Sequence, residues 1–299
     1  MQFYHKAQSF LFIAIIFWGV TPIFLEILLN YLTPLHAITL RFGIAVLVLT
    51  FFLVIFKRRN AFSLLSDKTC FCLGWLDAFA YLAAAIGQKM TTAGLATLIS
   101  TTFVFIVPFL VWKHEGTRLD PKIMMVAFIA LIGIFFISFN GDWANFSSLS
   151  YLGILLLLLA ALLWAFYIVI SGKFLTNSKR VERKIDPLCF LYAMLVHTFV
   201  LLIFLSMITT SSSVSVPSKI IPLLLFLAIF PTILAKALYN WAIVKIGSVR
   251  TSLYLLLQVI IPFLFEIIFF QQFYSGWVYF GTFILLISMT QIRDLKEIS

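Results

Sequence analysis

The sequence predicts an all-α integral membrane protein, with ten transmembrane helices arranged as two inverted five-helix repeats. Composition is the first observation behind this prediction, because 63% of the 299 residues are hydrophobic and only 11% are charged. A water-soluble domain could not cover so much apolar side chain with so little polar surface. The long, uninterrupted apolar runs exclude the alternating pattern of a membrane β-barrel, so the spans are expected to be helices.

Apolar segments of about 20 residues, the length that a helix needs to cross a bilayer, occur ten times. They are predicted at residues 9–29, 35–56, 71–89, 92–112, 123–139, 151–173, 186–208, 220–244, 249–270 and 277–293. The first segment is too long for the core of a signal peptide and lacks a small-x-small cleavage motif. It is therefore expected to remain as a membrane anchor.

The distribution of basic residues agrees with ten spans. If the N-terminus is cytoplasmic, every basic residue falls in a cytoplasmic segment except Arg41, Lys89, Lys219 and Lys236. This asymmetry follows the positive-inside rule and predicts that both termini are cytoplasmic. The net charge of +10 then reflects membrane topology. A nucleic-acid partner is not expected, because the basic residues are divided among short loops instead of gathered on one face.

A repeated helical hairpin is the third observation. Residues 84–112 and 238–266 each contain an apolar helix, a short break and a second apolar helix with a proline. Sliding one copy onto the other by 154 residues superposes Pro108 on Pro262. A repeat of this length indicates two copies of one half, with the functional site between them.

Each predicted half contributes five helices. Because five is an odd number, the second half must cross the membrane in the opposite sense to the first, which makes the repeat inverted. The predicted boundaries are residues 1–145 for the first repeat and 146–299 for the second. The polar segment 140–150 links them, since it is rich in Gly, Asp, Asn and Ser and has no apolar face.

Short motifs are distributed along both halves of the chain. They are Trp18-Gly19, Pro34-Leu35, Arg41-Phe42, Thr92-Ala93-Gly94-Leu95-Ala96, Pro108 and Glu115 in the first half, and Leu238-Tyr239-Asn240-Trp241, Gly247-Ser248 and Pro262 in the second. Together they resemble the EamA-type ten-helix members of the drug/metabolite transporter superfamily, over essentially the whole chain. The resemblance implies a metabolite carrier with a central cavity lined by helices of both halves. One departure is that Glu115 has no acidic counterpart near residues 269–272.

Ionisable side chains within the predicted spans are the first candidates for a functional role. They are Glu26, Arg41, Asp77, His197, Lys236 and Glu266. A charged group at the centre of a membrane helix costs about 2.5–3.5 kcal/mol on insertion scales. From their depth, we expect Arg41 to pair with Glu26 or Glu266 in an outer polar layer. Asp77 and Lys236 are expected to form an inner layer, so that the two layers bracket a site at the midplane.

Aromatic side chains and one amide complete the predicted substrate-binding site. With Arg41, Asp77 and Lys236, this set contains Trp18, Tyr81, Trp164, Tyr167, Tyr239 and Asn240. A mid-span aromatic ring with a polar atom finds a hydrogen-bond partner more readily in a wet cavity than in lipid, although helix packing is the alternative. An aromatic cavity with separated charges suits amino acids and related zwitterionic or amphiphilic compounds.

Gating or coupling roles are predicted for the remaining candidates, which are Glu26, Glu266, His197, Pro108 and Pro262. Exposure at the membrane interface is the alternative for the two glutamates, and simple packing is the alternative for His197. Each proline removes a backbone donor, which predicts either a hinge or a static kink. Protons or a counter-solute are candidate coupling partners, but nothing in the sequence requires coupling.

The predicted function is secondary active transport of small organic metabolites by alternating access in the inner (plasma) membrane, by a monomer or a homodimer. A channel or a receptor-like scaffold is the alternative, but inverted repeats are more typical of carriers. An enzyme is not expected, because the sequence has no HExxH, GxSxG or Walker motif. Neither a cofactor nor a metal is expected, since Cys70, Cys72 and Cys189 lack the spacing of a metal site.

Overall fold

The computed structural model describes most of the chain, and all of its regular secondary structure is helical there. The described residues are 2–56, 59–91, 93–116, 120–139, 150–177, 185–209, 216–271 and 273–291. Nine helical segments within these ranges are long and apolar enough to cross a membrane, and Gly276–Thr290 forms a shorter tenth. The prediction of an all-α membrane protein with ten spans is therefore confirmed.

Six α-helices are described in the first half. They are α1 (Gln2–Leu29), α2 (Pro34–Ile55), α3 (Lys68–Lys89), α4 (Ala93–Ser100), α5 (Phe103–Glu115) and α6 (Pro121–Phe139). Helix starts follow local chemistry, because Asp67 accepts a 2.7 Å hydrogen bond from Thr69 N at the beginning of α3 and Pro34 occupies the first turn of α2. Gly116 ends α5 with φ 68°, a conformation that glycine adopts at little cost.

The described residues of the second half form seven α-helices. They are α7 (Tyr151–Asn177), α8 (Pro187–Thr209), α9 (Ile221–Leu227), α10 (Ala235–Ile246), α11 (Ser248–Tyr254), α12 (Ile260–Phe270) and α13 (Gly276–Thr290). A π-helix, Ala228–Leu234, joins α9 to α10 within one span, and a 3-10 helix, Leu255–Val259, joins α11 to α12 within the next. Gly247, with φ 86°, forms the tight turn between these two spans.

The two copies of the hairpin are interrupted at matching places. In the first copy the predicted span 92–112 is divided at Thr101 and Thr102, which separate α4 from α5. Adding 154 to these numbers gives 255 and 256, the start of the 3-10 helix in the second copy. A proline clashes with the carbonyl four residues before it, so Pro108 and Pro262 both loosen the turn on their N-terminal side. The interruption is therefore a property of the repeated unit.

Packing between the halves follows the symmetry of an inverted repeat. The first span, α1, packs along α10 of the second half, and its counterpart α7 packs along α3 of the first half. The last spans of the two halves, α6 and α13, pack against each other. They meet at Gly133 and Gly281, where a Cβ on either glycine would lie within 2.7 Å of the other's carbonyl oxygen. Two inverted repeats are thus present, as the sequence predicts.

Large apolar side chains cover the outside of the bundle. On α2, Leu47 is 72% exposed and Phe51 is 69% exposed. Such a surface is costly in water but is the normal lipid-facing surface of a membrane helix. The polar and charged residues described next lie on the opposite, inner side of these helices.

Candidate solute site between the two halves

A cavity of about 170 Å³ lies between the two halves of the bundle. Its wall includes three charged side chains, Arg41, Asp77 and Lys236. Aromatic rings supply much of the remaining surface, and those at the wall are Trp18, Tyr81, Phe103, Trp164, Tyr167 and Tyr239. Eight of the nine residues predicted to bind substrate therefore line one space.

An ion pair joins the two halves at this cavity. Lys236 on α10 donates to Asp77 on α3, with 2.5 Å between Nζ and Oδ2. Both residues are buried, since only 3% of Lys236 and 1% of Asp77 is exposed. Burying either charge alone would carry a large desolvation penalty. The attraction between the two charges offsets part of that penalty for both residues. The pair that the sequence analysis placed in one layer is present.

Arg41 on α2 is also fully buried beside this pair. Its Nε donates to Thr232 Oγ1 at 2.7 Å. Neither terminal nitrogen of the guanidinium group, Nη1 or Nη2, has a hydrogen-bond partner among the described residues. Arg41 is thus a buried cation of the cavity wall whose two terminal nitrogens are enclosed and have no described partner.

Tyr81 stands between the two cations. The guanidinium carbon of Arg41 lies 5.3 Å from the centre of the Tyr81 ring, and Lys236 Nζ lies 4.8 Å from it. Phe42 is likewise within 6 Å of both cations, at 5.9 Å from Arg41 and 5.5 Å from Lys236. Cation–π interactions with these rings partly offset the desolvation of the two cations, which have one carboxylate, that of Asp77, near them.

The shared surroundings correct the predicted two-layer arrangement. Arg41, Asp77 and Lys236 form one cluster rather than separate outer and inner layers. Glu26 does not pair with Arg41, because its side chain is exposed on the outside of α1. It follows Leu25 of the cavity wall by one position, which turns it about 100° around the helix. The side chain of Glu266, the other predicted partner, lies outside the described residues.

Two tryptophan–tyrosine pairs show the two-fold relation of the halves within the site. Trp18 on α1 packs against Tyr239 on α10, with 5.3 Å between ring centres. Trp164 on α7 packs against Tyr81 on α3 at 5.5 Å. Each pair joins the first span of one half to the third span of the other. The aromatic wall is therefore built from the same contact used twice.

A π-helical turn, Ala228–Leu234, lies in the span that contains α10. Pro231 has no N–H to donate to Leu227 O, and Thr232 Oγ1 donates to that carbonyl instead, at 2.8 Å. The N–H of Ala235 donates to Phe230 O, five residues back, and the indole of Trp18 donates to Pro231 O at 2.9 Å. The turn therefore places Thr232 next to Arg41 and anchors Trp18, a local irregularity of the kind often found at functional sites.

The remaining predicted residues lie outside the cavity wall. Asn240 is fully buried one turn beyond Lys236, and neither atom of its amide has a partner in the described part of the chain. His197 on α8 is half-buried, and its Nε2 lies 2.9 Å from Leu65 O. That contact joins α8 to the 3-10 helix Arg59–Ser66, which fits the packing alternative for His197. Pro108 and Pro262 are buried in α5 and α12, behind the interruptions described above.

Sequence reasoning missed several polar residues of the site, and three of them are informative. Thr232 accepts the hydrogen bond from Arg41, while Gln88 and Gln258 line the cavity. Gln88 Nε2 also donates to Pro22 O at 3.0 Å, where that proline interrupts α1. All three are uncharged polar residues inside apolar spans, a signal that a search restricted to ionisable and aromatic residues overlooks.

The cysteines and other possible metal ligands do not form a cluster in the described ranges. There, no three His, Cys, Asp or Glu side chains come close enough together to hold a metal ion. Cys70 and Cys189 are buried, and Cys72 is exposed.

Comparison with known proteins adds evolutionary evidence to this geometry. The model of the EamA-like transporter family matches the chain twice, over residues 5–139 and 151–293. The chain belongs to this family. The EamA match covers each half with one copy of the family unit, as the internal repeat of the hairpin indicates.

Three curated relatives of this EamA transporter are themselves named uncharacterized transporters. Two are from Archaeoglobus fulgidus: one is 25% identical over 272 residues, covering 91% of this chain and 80% of the relative, and the other is 26% identical over 259 residues, covering 84% and 85%. YyaM of Bacillus subtilis is 26% identical over 250 residues, covering 80% of this chain and 78% of its own. A solved crystal structure aligns with 98% of this chain and 99% of its own, with a TM-score of 0.78. At 17% identity it shows the shared fold alone.

Proposed function

We propose that this EamA transporter is a secondary active carrier of small organic metabolites, with amino acids and related zwitterionic or amphiphilic compounds as the predicted solute class. The observation that carries the proposal is the cavity between the inverted halves, which contains the Asp77–Lys236 pair and Arg41. Charged groups are expensive inside a membrane protein and are typical of solute or ion pathways. Aromatic walls around them suit a solute that is partly apolar.

Alternating access is the proposed mechanism. It requires a site that is open at one end of the bundle and closed at the other, and the two ends differ in this way. The cavity extends from the charged cluster towards Leu25, Gln88 and Ala96, which all lie at the end where α1 and α3 finish. At the opposite end α1 closes onto the second half, where Gln8 Nε2 donates to Tyr254 OH at 3.0 Å. Phe10 packs against Trp241 nearby, with 4.9 Å between ring centres. Opening this closure while the other end closes would transfer a solute across the bilayer.

The proposed location is the inner (plasma) membrane, with both termini in the cytoplasm. Support comes from the basic loops, which fall on one side of the ten spans. In this orientation the Gln8–Tyr254 contact is the cytoplasmic closure and the cavity reaches the outer side. Protons or a counter-solute are the proposed coupling partners, and the functional unit is proposed to be a monomer or a homodimer.

Flux measurements on the purified protein in proteoliposomes test this proposal. A carrier gives uptake that saturates with solute concentration, and an internal pool of unlabelled solute accelerates the entry of labelled solute. Empty liposomes give neither effect. Ohmic single-channel currents, or flux that rises linearly with concentration, would show that the protein is a channel and would overturn the carrier mechanism.

A further inference from the structure

We propose that the terminal nitrogens of Arg41 form a carboxylate-binding subsite, and that the solute is a compact organic anion with an apolar body and no free ammonium group. The inference rests on the proposed carrier function, but it replaces the amino acids and other zwitterions of the predicted solute class with compact organic anions. Arg41 provides the starting observation, because it is fully buried at the cavity wall and its Nη1 and Nη2 have no partner among the described residues.

The geometry of Arg41 selects the chemical group that would bind. Thr232 occupies Nε, so Nη1 and Nη2 are the donors left without a partner. Both nitrogens are enclosed in this structure, and a ligand would reach them from the cavity by displacing the side chains that cover them. Two parallel N–H donors in a plane match the two oxygens of a carboxylate, which makes the pair bidentate. A buried guanidinium group with unused donors is costly, and a bound carboxylate removes this cost.

The charge balance of the site also favours an anion. The charged residues that line the cavity in the described part of the chain are Arg41, Lys236 and Asp77, two cations and one anion. Asp77 is already engaged with Lys236. The site therefore has one uncompensated positive charge, and a solute carboxylate brings the sum to zero. At low dielectric this neutralisation contributes far more than it would in water.

The same balance argues against a zwitterion. Charge compensation of the ammonium group of an amino acid needs an acid, but Asp77 is the single acid at the described cavity wall and it already serves Lys236. The amide oxygens of Gln88 and Gln258 could accept a hydrogen bond but carry no full negative charge. An added ammonium group would also be repelled by Arg41 and Lys236. An acid whose α-carbon carries hydrogen, a hydroxyl or an acylated nitrogen avoids this repulsion.

The rest of the wall determines the size and the apolar character of the solute. Trp18, Tyr81, Trp164 and Phe103 surround a cavity of about 170 Å³, which suits one aromatic ring or a branched apolar chain. We therefore expect a compact aromatic monocarboxylate to bind.

A matched series of four compounds tests the subsite in the wild-type protein. The compounds are 3-phenylpropanoate, its neutral analogue 3-phenylpropanamide, phenylalanine and phenethylamine. Ligand-dependent thermal stabilisation in detergent at neutral pH gives the affinity of each. We expect 3-phenylpropanoate to bind about tenfold or more tightly than the amide, because the neutral amide offers Arg41 one acceptor oxygen in place of two and has no negative charge. Phenylalanine should bind more weakly than the carboxylate, and phenethylamine weakest.

Substitutions of Arg41 add a second readout. Arg41→Lys keeps the charge but loses the planar pair of donors, and Arg41→Gln loses both; each should remove the preference for carboxylate over amide. Lys89→Gln is the matched control, because it deletes an exposed cation at the end of α3, away from the cavity wall. Ligand-free melting temperatures show whether the variants fold. If the variants do not fold, the four compounds tested on the wild-type protein still decide whether the carboxylate subsite exists.

Three results separate this inference from the proposed function. Equal or tighter binding of the amide, of phenylalanine or of phenethylamine would overturn the carboxylate subsite while leaving the carrier intact. Failure of all four compounds to stabilise the folded wild-type protein would also overturn it. Selective binding of 3-phenylpropanoate without saturable flux in proteoliposomes would support the subsite and refute the carrier.

Discussion

Lys236 Nζ lies 2.5 Å from Asp77 Oδ2, and this contact joins α10 of the second half to α3 of the first. It is the ionic connection between the two third spans, and it lies at the cavity wall together with Arg41. Any movement that separates α3 from α10 must expose both charges to water or provide new partners for them. In the proposed carrier, this pair would therefore connect solute binding to movement of the halves.

Removing one partner of the pair should be more harmful than removing both. Lys236→Ala leaves Asp77 buried without its cation, which is expected to lower the free energy of unfolding by about 3–5 kcal/mol and to abolish solute-dependent stabilisation. In the double variant Asp77→Asn/Lys236→Met, the melting temperature should recover while transport remains absent. Melting temperatures and proteoliposome uptake check the two parts separately. Unchanged transport by Lys236→Ala would show that the ion pair has no role in the site.

Pro231→Ala should affect transport more than stability. Alanine restores an N–H that can donate to Leu227 O, so the π-helical turn can relax to a regular α-helix and rotate Thr232 away from Arg41. Because a proline costs about 3 kcal/mol in a regular helix interior, the variant should melt at the same temperature or higher. Uptake should fall. Pro187→Ala, at the first position of α8, is the matched control and should leave uptake unchanged.

Tyr254→Phe should favour opening at the end of the bundle where Gln8 lies. The variant deletes the hydroxyl that accepts from Gln8 Nε2 and preserves the ring that packs against Phe12. One hydrogen bond contributes about 1 kcal/mol, which corresponds to about a fivefold shift between the two states. Labelling of Ser171→Cys, a buried position of α7, by a membrane-impermeant thiol reagent reports this opening. The reporter needs a background in which Cys70, Cys72 and Cys189 are replaced.

The labelling rate should rise in Tyr254→Phe when the reagent is supplied from the cytoplasmic side. An equal rate in both backgrounds would mean that the Gln8–Tyr254 contact does not hold this end closed. A rise when the reagent is supplied only from the opposite side would reverse the proposed orientation.

Gly281→Ala should destabilise the contact between α6 and α13. Its new Cβ would lie 2.4 Å from Gly133 O, so the two helices must separate. Overpacking of this kind costs about 1–3 kcal/mol. Gly276→Ala provides the comparison, because nothing lies within 4 Å of a Cβ at that position. Thermal unfolding of the two variants should show a lower midpoint for Gly281→Ala only; equal midpoints would show that the helices adjust freely.

The sequence was sufficient for the helices and for part of the site. Spans are predictable because lipid requires every backbone group to be satisfied within a helix. The Asp77–Lys236 pairing was also predictable, since the two residues lie at similar depth on corresponding spans. Arg41 was assigned to the wrong layer because depth along a helix does not specify which neighbours a long side chain reaches.

The contacts of Arg41 depend on a local irregularity that periodicity does not reveal. Thr232 meets Arg41 because Pro231 shifts the hydrogen bonds of the span to i−5 spacing over Ala228–Leu234. A regular helix drawn through the same residues would rotate Thr232 to another face. The sequence therefore predicts the span correctly but not the direction in which Thr232 points around the helix axis, and for this reason the neighbours of Arg41 are predicted wrongly.

The paired contacts Trp18–Tyr239 and Trp164–Tyr81 have a geometric consequence for the transport cycle. Since the chain contains the same building block twice with opposite polarity, the proposed cycle would exchange the bends of the two blocks, and the cavity would then face the other compartment. In that exchange each tryptophan–tyrosine contact would take the role that its counterpart has now. A bound solute would then need to tip only a small energy difference between the two forms.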